Sequence, residues 1–232
     1  MADDSNIQLY TAPGTCARVP CIALEEIGEE FDTVVIRFVK GEHKSPDYKK
    51  LNPKGKVPTL IIDGEPLTEN VAILKFLDQR YPHARLLPRP KNELDMARQL
   101  ADLCFCSATL HPIVTRIRMP QLFAAEDAVR SAWEKSCQAM NEFFSLIDER
   151  LDGPPWWYGD SWSVMDAYLY WIYWRSAGAD YDVQPYPNFA DHAMRMEARP
   201  AVQRALAREA DATAQLEAEG LAFNPPSVTS PR

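Results

Sequence analysis

The sequence has few of the residues that disulfide frameworks and zinc sites require. Its 232 residues include five cysteines and four histidines, and no two cysteines have the Cys-x-x-Cys spacing. An odd number of cysteines without paired spacing argues against a disulfide-stabilised fold and against a tetrahedral zinc site. We therefore expect reduced thiols and no bound metal.

The sequence also lacks a long hydrophobic run. The longest apolar and aromatic stretch, 167–174, has eight residues, whereas a membrane-spanning helix needs about 20. The first six residues are acidic and polar, whereas a secretory signal begins with basic and then apolar residues. These features predict a cytoplasmic protein that does not bind membranes.

Positive charge is scarce overall, since the formal net charge is −8. A protein this acidic does not attract nucleic acid by bulk electrostatics. Residues 37–56 are the exception, because seven lysines and arginines stand against two acidic residues, a local balance of +5. A basic window on an acidic protein suits a small anionic ligand, although a solvated lysine-rich surface is the alternative.

Short strand-like and helical segments alternate over the first eighty residues. The predicted elements are strand 7–11, helix 18–27, strand 31–39, helix 47–51, strands 59–62 and 65–68, and helix 70–81. Their βαβαββα order is that of an α/β thioredoxin-like domain, which we place at residues 1–82.

Prolines at 82, 88 and 90 predict a linker over residues 83–90. Beyond it the hydrophobic pattern is helical, with predicted helices 93–117, 126–151, 164–177, 189–198 and 201–218. An all-α domain is therefore expected over 91–223, followed by a disordered tail over 224–232.

Cys16 lies directly before the first predicted helix. Free N–H groups and the positive end of the helix dipole favour a thiolate there, and the thiolate is the reactive form. Because no second cysteine follows three residues later, Cys16 would need a thiol from outside, for which glutathione is the obvious candidate. A buried structural cysteine is the alternative that position alone leaves open.

Two further segments suggest a site for an extended peptide. A cis bond between Val57 and Pro58 would turn the backbone of Val57 toward a ligand, although an ordinary turn is the alternative. Glu69 and Asn70 stand where a strand ends and a helix begins, so they suit an ammonium and a carboxylate, although helix capping by Asn70 also explains them.

These segments together resemble the cytosolic glutathione transferases over roughly residues 7–210. The best matches are "PGTCARVPCIALEE", "NPKGKVPTL" and "LTENVAILKFL", and "YTAPGTC" is most similar to the bacterial beta class. The box from Ser163 to Asp166 resembles the family's helix-start motif, which we interpret as structural. The resemblance implies the glutathione transferase fold and a homodimer.

The resemblance also implies a role for each candidate site residue. Cys16 and His111 would flank the sulfur of glutathione, and Val57 would pair with the backbone of its cysteine. The remaining contacts would be Glu69 with the γ-glutamyl amine, Asn70 with the γ-glutamyl carboxylate, and Lys40 and Lys56 with the glycyl carboxylate.

The function that follows is the attack of glutathione thiolate on a hydrophobic or aromatic electrophile. One alternative is a thiol-disulfide reductase or deglutathionylase that uses Cys16 as nucleophile. Another is a binding protein with the transferase fold and no catalysis. The sequence leaves the second substrate open.

Overall fold

The computed structural model describes residues 7–223, so the predicted tail lies outside the described residues. By its contacts the described chain forms two compact units. The first contains residues 7–86 together with 199–223, and the second contains residues 87–198.

A four-stranded mixed sheet forms the centre of the first unit. Its elements are β1 (Gln8–Thr11), α1 (Arg18–Ile27), β2 (Asp32–Val35), α2 (Pro46–Leu51), β3 (Thr59–Ile62), β4 (Glu65–Thr68) and α3 (Asn70–Arg80). The strand order is β2-β1-β3-β4, with β1 and β2 parallel and the other pairs antiparallel. The predicted thioredoxin-like fold is confirmed.

The apolar residues of this unit account for its core. Leu9 of β1 and Leu60 of β3 are paired in register and fully buried. Helix α1 ends at Gly28, whose φ of 82° is in the left-handed region and whose N–H closes the last turn on Leu24 O. Glycine is favoured there because it adopts a positive φ without a steric penalty.

Strand β2 is shorter than the β-branched residues after Phe31 predict. It ends at Val35 instead of Val39, because its partner β1 ends at Thr11. The last bond of this ladder runs from the Ile36 N–H to Thr11 O at 2.8 Å. Strand-forming residues beyond that point have no partner strand and form a 3-10 turn over Phe38–Lys40.

Helix α9 (Pro200–Ala218) belongs to the first unit, although the sequence analysis assigned residues 199–223 to the helical domain. Its apolar residues Ala212 and Leu216 pack with Val35. Its arginines Arg204 and Arg208 both donate to the carboxylate of Glu25, which is 8% exposed. These contacts attach α9 to α1 and β2.

The second unit is helical. Its helices are α4 (Glu93–Cys104), α5 (His111–Arg118), α6 (Val129–Arg150), α7 (Val164–Ala177) and α8 (Pro187–Glu197). Tyr168, Tyr170, Phe144 and Phe189 are fully buried and form much of its core. Asp166 accepts from the Ser163 N–H at 2.7 Å and faces buried His192 at 2.9 Å, so the helix-start box is structural, as predicted.

The predicted helix 93–117 is interrupted. Residues Phe105–Leu110 form a π-helical turn between α4 and α5. The cause is Pro112, which has no N–H and whose ring would clash with the carbonyl four residues earlier in a regular α-helix. A widened turn removes that clash, and Pro112 then lies in the first turn of α5.

Within residues 7–223, no helix combines the length and the apolar character needed to cross a bilayer.

Candidate functional site

Cys16 lies in a tight turn between β1 and α1. The Thr15 N–H and hydroxyl both donate to Ala12 O, at 3.2 and 2.7 Å, and close the turn. Gly14 has a φ of 72°, a conformation that favours glycine. Cys16 itself is 8% exposed, and its S–H points to Val57 O at 3.8 Å.

The protonation state of Cys16 differs from the expectation based on its position. Burial is the largest effect and raises the pKa of the Cys16 thiol to about 12, while its backbone hydrogen bond lowers the pKa less. The negative charge of Glu69 raises it further, and Lys56 lowers it slightly. Burial therefore favours the neutral thiol over the thiolate that the helix terminus favours, because desolvation is the larger effect.

The peptide bond between Val57 and Pro58 is cis, as the sequence analysis considered. The loop before it is held by two side chains that sequence reasoning missed, Tyr48 of α2 and Asn52. Tyr48 Oη donates to Lys56 O at 2.6 Å, and Asn52 Nδ2 donates to the same oxygen at 2.7 Å. Both also contact the Thr59 hydroxyl at the start of β3. This clamp fixes the backbone on both sides of Val57.

Glu69 and Asn70 stand at the junction of β4 and α3. Glu69 has a φ of 76°, which is strained for a residue other than glycine, and such strain is concentrated at ligand sites. Its carboxylate forms an ion pair with Lys54 at 2.7 Å. Asn70 Nδ2 donates to Cys16 O at 3.0 Å, and no side-chain cap is formed. The capping alternative for Asn70 is therefore wrong.

Asn70 also presents an unused acceptor. The residue is 5% exposed, and its Oδ1 has no hydrogen-bond partner among the described residues. A buried polar atom without a partner is costly unless a ligand supplies one.

The two lysines predicted for the glycyl carboxylate lie in different places. Lys56 is exposed next to Val57, and its charge acts on Cys16. Lys40 ends the 3-10 turn after β2. The hydrogen bond from Arg37 is the main cause that lowers the pKa of Glu219 to about 2, and the charge of Lys40 contributes least. The structure brings Cys16, Lys56, Val57, Glu69 and Asn70 together, and it places Lys40 beside Glu219.

His111 belongs to the second unit, at the first residue of α5. Its Nδ1 lies 3.3 Å from the Tyr168 hydroxyl, and its ring packs edge-on against Trp171 at 4.7 Å. Its predicted approach to the glutathione sulfur stays a prediction.

For metal binding, residues 7–223 contain no cluster of three or more His, Cys, Asp or Glu side chains that could hold an ion.

Comparisons with known proteins identify the family. Residues 5–79 match the model of the glutathione S-transferase N-terminal domain. Over 206 residues the chain is 32% identical to glutathione S-transferase GstA of Escherichia coli O157:H7, which spans 88% of this chain and 98% of that protein. The chain therefore belongs to the glutathione S-transferase family and is a transferase enzyme of that class.

Solved structures agree. A sphingomonad glutathione S-transferase complexed with glutathione is 33% identical, with a TM-score of 0.74 over 88% of this chain and 98% of that one. The beta-class transferase of Sphingomonas chungbukensis is 31% identical, with a TM-score of 0.76 over 87% and 98%. The resemblance to the bacterial beta class is confirmed.

One relative has a different activity in its name. The maleylacetoacetate isomerase maiA of Aspergillus fumigatus is 30% identical over 86% of this chain and 89% of its own length. Membership of the family therefore leaves open which electrophile the enzyme uses.

Proposed function

We propose that this chain binds glutathione in the first unit and directs its thiolate at a hydrophobic or aromatic electrophile. The convergence of three segments carries the proposal. Cys16 Sγ lies 3.8 Å from Val57 O, and Asn70 Nδ2 lies 3.0 Å from Cys16 O. A tripeptide in extended conformation would run along Val57 like an added strand.

The chemistry of each side chain assigns the ends of the tripeptide. Glu69 would meet the γ-glutamyl ammonium, and the unused Asn70 Oδ1 is an acceptor that suits the same group. The γ-glutamyl carboxylate would then be held by the Asn70 side chain's remaining N–H and the first backbone N–H groups of α3. Lys56 would attract the glycyl carboxylate, and Lys40 would do so from a greater distance.

A neutral Cys16 suits conjugation better than redox exchange. With its pKa raised to about 12 by burial, the thiol donates a hydrogen bond and is a poor nucleophile near neutral pH. If the glutathione backbone takes Val57 O as acceptor, the Cys16 S–H is released toward the glutathione sulfur. Glutathione would lose its thiol proton to solvent, and its sulfur would bond to the electrophilic carbon as the leaving group departs.

The isomerase relatives favour a second candidate. The same thiolate would add to an activated carbon–carbon double bond, allow rotation and then leave, so that glutathione is regenerated. The two reactions differ in whether glutathione is consumed.

The test begins with glutathione at millimolar concentration. We expect it to raise the thermal midpoint of the chain and to protect Cys16 from alkylation. If it does neither, the site assignment is wrong. Consumption of glutathione is then followed with an aryl chloride, an activated alkene and a mixed disulfide of glutathione.

Variants at Cys16 separate the chemistries. Under our proposal Cys16→Ser retains most conjugation, because a hydroxyl also donates a hydrogen bond, and Cys16→Ala loses more. Conjugation that survives equally in both variants while disulfide exchange disappears would favour the reductase. No activity on the whole panel, despite glutathione binding, would favour a non-catalytic binding protein.

The expected homodimer belongs to the same proposal. Light scattering would measure twice the 26.3 kDa of one chain, and a mass of one chain would contradict it. The cytoplasmic location stays a prediction of the sequence, and cell fractionation tests it.

A further inference from the structure

We propose that Glu209, near the middle of α9, is a positioning residue that fixes the turn carrying Cys16. Its carboxylate oxygen Oε1 accepts a hydrogen bond from the Gly14 N–H at 2.9 Å. Gly14 is two residues before Cys16 and 195 residues before Glu209 in the chain. A residue far from Cys16 in sequence thus holds the backbone beside the predicted reacting centre.

The contact is built to hold one orientation. Arg18, the first residue of α1, donates from Nη2 to Glu209 Oε1 at 2.6 Å and from Nε to Oε2 at 3.0 Å. The side chains of Arg18 and Glu209 are 2% and 19% exposed, so the pair is shielded from solvent. A forked arginine–carboxylate pair fixes the plane of the carboxylate, and that plane directs Oε1 at the Gly14 N–H.

The turn depends on this anchor because its own bonds only close it. The Thr15 contacts to Ala12 O join the turn to itself, whereas bonds from Asn70 and Glu209 tie it to distant parts of the chain. Asn70 holds Cys16 O, and Glu209 holds the Gly14 N–H. Losing the second bond would remove the tie between Gly14 and α9 and loosen the Pro13–Thr15 side of the turn.

This inference rests on the proposed function in one respect, namely that Cys16 lies next to the sulfur of bound glutathione. Displacement of the turn would expose the Cys16 thiol and move it relative to that sulfur. The catalytic rate kcat would then fall, whereas the KM for glutathione would change less, because Val57 and Glu69 still hold the peptide.

Glu26 provides a matched control. Its Oε1 accepts from Arg199 Nε at 2.9 Å and from Arg199 Nη2 at 2.7 Å. This ion pair also attaches the α9 segment to α1, and its carboxylate side chain is 17% exposed. Glu26 therefore matches Glu209 in partner type and burial, but its ion pair involves no residue of the Cys16 turn.

The experiment compares Glu209→Leu and Glu209→Gln with Glu26→Leu and Glu26→Gln in the full chain. Iodoacetamide alkylation is read at Cys16 by mass spectrometry of its peptide, without glutathione. We expect Cys16 to react about tenfold faster in Glu209→Leu and about threefold faster in Glu209→Gln, because local opening exposes it. Both Glu26 variants should stay within about twofold of wild type.

Steady-state kinetics with glutathione and 1-chloro-2,4-dinitrobenzene give the second readout. The Glu209 variants should lose kcat with little change in the KM for glutathione, and the Glu26 variants should keep both.

If Glu209→Leu does not fold, the comparison of Glu209→Gln with Glu26→Gln tests the inference. Equal Cys16 alkylation in these two variants would overturn it, since both carboxylates would then be general stabilising contacts. A wild-type chain that neither binds nor uses glutathione would overturn the proposed function, and the alkylation comparison would still stand.

Discussion

The surroundings of Cys16 oppose the effect of its place in the chain. The N-terminus of a helix favours a thiolate, but burial raises the pKa of this thiol to about 12. The sequence identifies the position, because a cysteine after a Pro-Gly turn and before a helix is readable from spacing. Its charge state cannot be read from the sequence, because burial depends on tertiary packing, and two of its contacts, Val57 and Asn70, are 41 and 54 residues away.

The first prediction concerns the reactivity of Cys16 without glutathione. With a pKa of about 12, the thiolate fraction at pH 8 is about 10⁻⁴. Iodoacetamide should therefore modify exposed Cys104 at least about tenfold faster than Cys16. The rate of Cys16 alkylation should keep rising as the pH approaches 12, because the reactive thiolate becomes more abundant. A Cys16 rate that levels off near pH 7 would contradict this prediction.

The second prediction concerns Lys54, which pairs with Glu69 at 2.7 Å. If Glu69 binds the γ-glutamyl ammonium, Lys54 competes with the ligand for the same carboxylate. Both side chains are about half exposed or more, so the pair is weak, and Lys54→Met should lower the KM for glutathione by about two- to fivefold.

The control for Lys54→Met is a glutathione analogue without the α-amino group. Its KM should be the same for the variant and for wild type. An equal improvement for both ligands would show that Lys54 acts elsewhere.

At the scale of elements, strand pairing and one proline explain where the sequence predicts the ends of strands and helices correctly and where it does not. Strands β3 and β4 are bounded as predicted, because their hairpin turn is local. Strand β2 ends early because β1 does, and that limit is invisible in the β2 sequence. The break before α5 had a local signal, Pro112, which the hydrophobic periodicity of 93–117 concealed.

The third prediction tests the clamp that Asn52 and Tyr48 form on the Lys56 carbonyl. Asn52 is 1% exposed, and its amide nitrogen makes two hydrogen bonds there. Asn52→Ala should lower the free energy of unfolding by about 2 kcal/mol and raise the KM for glutathione, because the Val57 backbone is less well held.

Tyr48→Phe provides the graded comparison. It removes one hydroxyl while Asn52 still holds Lys56 O, so it should cost about 1 kcal/mol. Urea denaturation measures both values. A Tyr48→Phe loss larger than that of Asn52→Ala would contradict the order we expect.

At the scale of the whole molecule, the first unit is discontinuous in sequence. Its sheet and α1–α3 come from residues 7–86, and α9 comes from the 199–223 segment. Helical periodicity identifies α9, but no local pattern shows that Arg204 and Arg208 pair with Glu25 about 180 residues earlier. Contacts of this kind are set by tertiary packing, and for the same reason no sequence pattern points to Glu209 as a neighbour of the Cys16 turn.

The fourth prediction is that a chain ending after residue 198 loses cooperative folding of the first unit. It leaves buried Glu25 without its arginines and uncovers Val35, and an unpaired buried charge is strongly destabilising. Thermal unfolding should be broad, a dye for exposed apolar surface should bind, and glutathione should give no stabilisation. A chain ending after residue 223 keeps every described contact and is the control. A sharp, glutathione-sensitive transition in the shorter chain would contradict the prediction.

The late position of α9 has a consequence for synthesis on the ribosome. After residue 86 emerges, the 112 residues from 87 to 198 must be made before α9 follows. At about 5–20 residues per second this takes about 6 to 22 s. During that interval the nascent α1 exposes Glu25 and the apolar surface that α9 later covers, so the first unit is open to chaperones and to aggregation until α9 has been made.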